Sequence, residues 1–103
     1  MDVEYIVQFD IDNRMRCRLQ IEAGRISNFT VQQESYIDKW IPIVRYDTYH
    51  NRFHKDIFRS DGTVNKKWLP KIDFDEAFRR AYDEIRTQWE KNREWFLTRR
   101  PLA

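Results

Sequence analysis

Between Arg14 and Ile21 the chain alternates without a break: Met15, Cys17, Leu19 and Ile21 point one way, Arg14, Arg16, Arg18 and Gln20 the other. A period of two marks a strand with one buried and one wet face, because successive side chains leave a pleated backbone on opposite sides. This part of the chain is therefore committed to a sheet with a core on one side.

The neighbouring segments extend that sheet. Residues 4–11 are rich in Tyr, Ile, Val and Phe and read as a strand, closed by the turn residues Asp12-Asn13. Ala23-Gly24 makes the next turn, and 25–34 the third strand, where Ile26 is out of phase with Phe29 and Val31. A β-bulge near Ser27-Asn28 restores the phase. The fourth strand, 39–47, is apolar on both faces, with Trp40, Val44 and Tyr46 on one and Ile41 and Ile43 on the other. Such a strand lies centrally or under another element. Pro42, which cannot donate to the ladder, suits a bulge or an unpaired side. A fifth strand over 52–59 ends at Ser60-Asp61-Gly62, and 63–69 pairs briefly or runs extended to Pro70.

Helix signals start at Asp73, an N-cap with Glu76 three residues on. Phe74, Ala77, Phe78, Ala81, Ile85, Trp89 and Phe96 form an apolar stripe, and the run ends at Arg99-Arg100 before Pro101. The order is βββββα. This predicts one α+β domain over 1–103, an antiparallel sheet of about five strands (about 4–69) packed by one long C-terminal helix (about 73–98).

At 103 residues the chain holds one domain. Its 35% charged residues and mean hydropathy of −0.87 would suit a disordered chain, but 16% aromatics supply a core. No run approaches the ~20 apolar residues of a membrane span. Met1-Asp2-Val3-Glu4 is unlike a signal peptide, and the lone Cys17 has no internal disulfide partner. A cytoplasmic protein is expected. With a net charge of +2, nucleic-acid binding would depend on local clustering, and two glycines leave little room for a phosphate-binding loop.

The densest polar group runs from Arg45 to Asp56 and holds both histidines, His50 and His54. A four-residue loop, 48–51, would set Asp47 opposite Arg52, Arg45 opposite His54 and Ile43 opposite Asp56. Arg45, Asp47, Arg52, His54 and Asp56 would then share one face, with Tyr46 and Phe53 on the other and His50 and Tyr49 at one end. Two imidazoles, an arginine and an aspartate are the toolkit of metal-free phosphodiester cleavage. His50 and His54 would be general acid and base, Arg45 would stabilise developing charge, and Asp47 would orient an imidazole. The same groups also read as a salt-bridge ladder holding the hairpin, or as a metal site of His50, His54, Asp47 and Asp56.

Arg14, Arg16 and Arg18, with Arg52, make a candidate surface for single-stranded nucleic acid, or an ordinary solvated face that blunts aggregation. Cys17 reads as a core residue without an activating base. Trp95, off the helix stripe, is a candidate exposed aromatic at an interface.

Trp40, Pro42, Arg45, Tyr46, Asp47, His50, His54, Asp56 and Asp61-Gly62 resemble the WxPxVRYD-xx-H-xxx-H-xD core of an uncharacterised family of small prokaryotic proteins, as do the late helix aromatics Trp89 and Trp95-Phe96. Arg45, Tyr46, Asp47 and His50 are also similar to a motif of the TumE-like toxins of toxin–antitoxin pairs, without that family's consecutive histidines and flanking proline. That resemblance implies a toxin-like or defence-associated protein acting on RNA, with an antitoxin as partner; no cofactor is expected. The alternative is a non-catalytic protein-binding module. A third reading gives the segment only a structural role in the hairpin.

Overall fold

The computed structural model describes residues 1–98. Six strands, β1 (Asp2–Asp10), β2 (Asn13–Glu22), β3 (Arg25–Ile37), β4 (Lys39–Asp47), β5 (His54–Phe58) and β6 (Val64–Trp68), precede one helix, α1 (Phe74–Thr98). The strands lie in chain order, each antiparallel to the next, so β1 and β6 form the two edges. The architecture is α+β as expected, with 63–69 contributing a sixth paired strand. The end of the helix run at Arg99-Arg100 and Pro101 lies outside the described residues.

Local chemistry explains the joints. Ala23 and Gly24 both take positive φ, 50° and 75°, which suits a tight two-residue hairpin turn. Gln20 pairs with Asn28 and Ile21 with Ile26, so Ser27 is the extra residue that corrects the phase of β3. A second irregularity pairs Gln33 with Val44 and Glu34 with Pro42, leaving Ile43 as the inserted residue. Here the expectation needs correction. Trp40 does not share a face with Val44 and Tyr46, because the insertion flips the alternation between them. Trp40 stacks with Arg14 on one face; Ile43, Val44 and Tyr46 are buried.

The helix lies over β3 and β4. Asp73 caps it, accepting the backbone N–H groups of Asp75 at 2.7 Å and Glu76 at 3.4 Å, while the Glu76 carboxylate pairs with Arg80 at 2.9 Å. Ala77, Ala81, Ile85 and Phe96 are buried against Met15, Cys17, Leu19, Phe29 and Val31. Small residues at 77 and 81 let the helix approach closely. Phe74 and Phe78 meet Phe29 edge-on, and Trp89 stacks on Phe9 at 5.1 Å. Buried Gln33 donates to the Trp89 carbonyl at 2.8 Å and accepts from Asn92 at 3.0 Å, which fixes the helix along its own axis. The other sheet face carries Arg14, Arg16, Glu34, Gln32 and Arg45. Among the described residues no helix is long and apolar enough to cross a membrane.

Candidate functional site

The β4–β5 hairpin positions the candidate residues. Its ladder pairs Asp47 with His54 and Arg45 with Asp56, so the connection spans six residues, 48–53, rather than four. The expected partners, Asp47 with Arg52 and Arg45 with His54, are each displaced by two. Two residues is one full period of a strand, so the faces survive the error. Arg45, Asp47, His54 and Asp56 share the face away from the helix. Tyr46 and Phe53 lie on the other, their rings 6.0 Å apart.

The connection is longer because it holds a 3₁₀ turn, Tyr49–Asn51, in which His50 and Asn51 take positive φ of 59° and 58°. Such conformations are sterically disfavoured for most L-residues, and Asn and His tolerate them better than most. Two anchors hold the loop there. Buried Thr48 accepts the Phe29 backbone N–H at 2.9 Å, tying the loop to β3. Asp47 accepts the Tyr49 N–H at 2.7 Å. That carboxylate therefore braces the loop.

The two histidines occupy different surroundings. His50 is exposed, its ring 4.1 Å from that of Tyr49. It lines a groove of about 990 Å³ with Glu4, Arg18, Asn28 and Asp47. His54 is 2% exposed. Its Nδ1 lies 3.1 Å from the Arg52 carbonyl oxygen, placed to donate to it, and its Nε2 is 3.6 Å from Asp56 Oδ2. Trp68 closes over it edge-on at 5.5 Å. Arg52 is not in a strand but stacks above the same indole at 4.8 Å. Buried Asp56 keeps one oxygen, Oδ1, without a hydrogen bond, with Lys66 at 3.9 Å. Arg45 donates to Gln32 at 2.7 Å and lies over Phe58. The patch is thus assembled on one face yet split into an open end at His50 and a closed end at His54.

The basic stripe on β2 is largely neutralised by its neighbours. Arg14 binds Glu34 at 2.7 Å and lies 3.8 Å from the Trp40 ring centroid. Arg16 bridges Glu34 and Glu4, and Arg18 reaches Glu4 at 3.9 Å. Burial pushes the Glu34 carboxyl up, but the Arg14 and Gln32 hydrogen bonds and the Arg16 charge outweigh it and hold the group below the ordinary carboxylate range. Three guanidiniums and two carboxylates form one ladder across β1, β2 and β3. Sequence reasoning missed Glu4, Glu34 and Trp40 as partners. Propagating the Ala23-Gly24 turn with its bulge would have set Glu34 opposite Arg14.

Cys17 is fully buried, and burial pushes its thiol up to about 11. Among the described residues no group of three or more His, Cys, Asp or Glu is placed to hold a metal ion, so the metal arrangement of His50, His54, Asp47 and Asp56 is not formed. Trp95 is half-buried in a cleft beside the helix rather than fully exposed.

A family model, described as a domain of unknown function, matches residues 1–101, spanning both the sheet and the helix. The chain belongs to the DUF7718 family. The match to DUF7718 covers all six strands and the helix, and the family's description assigns it no function. No curated protein and no solved structure matches this DUF7718 chain.

Proposed function

We propose that the protein is a non-catalytic binding module that receives an extended, acidic segment of a protein partner along β6. One observation carries the reading: β6 is an edge strand whose five residues are all exposed. Among the described residues no strand lies beside its outer N–H and C=O groups, which is the arrangement that strand addition uses. Lys66 and Lys67 project from opposite faces of that edge, and Trp68 lies beneath Arg52 and Lys66. The lysines oppose self-pairing of two β6 edges through like-charge repulsion and favour carboxylates on an incoming strand.

The probe is a blocked octapeptide alternating valine and glutamate, with a valine–lysine peptide as control. Binding of the acidic peptide alone, with amide shifts confined to β5 and β6 and loss in the Lys66→Glu/Lys67→Glu double variant, supports the module. Equal binding of both peptides overturns it. So do amide shifts elsewhere, or concentration-dependent self-association through the β1 edge in place of peptide uptake.

A second reading retains RNA cleavage by a toxin-like protein, favoured by the shared face of Arg45, Asp47 and His54 and by the similarity to TumE-like toxins. His50 is its accessible imidazole. If folded His50→Ala and His54→Ala variants cleave RNA or arrest growth as the parent does, this reading fails.

A further inference from the structure

Away from the His50 groove, a cleft of about 350 Å³ opens between α1 and the β4, β5 and β6 end of the sheet. Its apolar floor comes from Ile43 and Ile57, and Trp95 of the helix forms a wall. Three ammonium groups line it, from Lys55, Lys67 and Lys91, and among the described residues no carboxylate does. The Lys55 charge is answered by Glu84 at 2.9 Å. Lys67, whose field reaches Glu84 only at longer range, and Lys91 make no ion pair among the described residues.

We propose that this cleft binds a small organic anion with a flat apolar body. Lys67 and Lys91, neither in an ion pair among the described residues, over an apolar floor match such a ligand at both ends, since the body is taken out of water while the anionic group meets the ammoniums. The volume stands at the small end of ligand sites, which suits a single small molecule rather than a peptide. The cations come from β6 and from the helix.

The test uses 1-anilinonaphthalene-8-sulfonate, an aromatic sulfonate that brightens when removed from water, with uncharged 1-anilinonaphthalene as comparison. The folded protein is expected to give saturable one-to-one emission and to shift the Trp95 indole N–H resonance. Lys91→Glu should weaken sulfonate binding by about tenfold, while Lys71→Ala, outside the cleft, leaves it unchanged. The uncharged compound should bind weakly and ignore the Lys91 change. Unchanged melting temperature and near-ultraviolet dichroism show that each variant is folded. Absence of saturable emission, or equal sulfonate binding by Lys91→Glu, overturns the proposal. Lys67 belongs to both sites but Lys91 to the cleft alone, so uptake of the acidic peptide by Lys91→Glu reports separately on the binding-module reading.

Discussion

Arg45 and Asp56 stand directly opposite one another across β4 and β5, yet the guanidinium turns to Gln32 and leaves the carboxylate to His54 and Lys66. The expected charge ladder along this hairpin is therefore not closed at its centre. Asp56 is 6% exposed with one oxygen lacking a hydrogen bond. A buried carboxylate so poorly matched carries a desolvation cost.

Asp56→Asn is expected to be stabilising, by about 1 kcal/mol, because it removes the charge and supplies an amide that can donate to the imidazole. Urea denaturation of the two proteins measures it. A loss of stability would mean that the carboxylate charge itself holds β5.

Thr48→Val keeps the shape of a buried side chain but leaves the Phe29 N–H without its acceptor. The cost should be about 1–3 kcal/mol, the penalty for an unsatisfied buried donor. Amide exchange should show the release directly, with faster exchange at Phe29 and through the Tyr49–Asn51 turn.

Glu34 has a folded-state pKa below its ordinary 4.5. It therefore binds fewer protons folded than unfolded in that range, and its contribution is present above about pH 4.5 and lost as pH falls through the folded value. Glu34→Gln should cost about 1–2 kcal/mol at neutral pH, and the difference from the parent should shrink on acidification. Denaturant titrations between neutrality and pH 3 check the sign. A gap that widens in acid would contradict it.

Cys17 should resist thiol reagents in the native state. With its pKa near 11, about one thiol in a thousand is ionised at pH 8, and burial removes even that fraction from solvent. Labelling by a disulfide reagent should follow the unfolding rate in water and become fast in urea.

Much of this architecture is legible in local chemistry. The alternation of Arg14 to Ile21 specifies β2 and its buried face. Asp73 specifies where the helix begins, and the stripe from Phe74 to Phe96 specifies which side it buries. The phase error of Ile26 even locates the Ser27 bulge. These features hold because a pleat and a helix each impose a fixed period on whatever sequence they carry.

What the sequence determined alone was therefore the order of elements and the sorting of side chains between faces, including the common face of Arg45, Asp47, His54 and Asp56. The tertiary structure decided which of those side chains meet and which see water. It inserted Ile43 and so separated Trp40 from Val44, extended the β4–β5 connection through Thr48's bond to Phe29, and sealed His54 under Trp68 while leaving His50 exposed. It also brought Lys55, Lys67 and Lys91 around one cleft from β5, β6 and α1. Periodicity fixes direction within one element, whereas proximity and burial depend on how distant elements pack, and no local pattern encodes that.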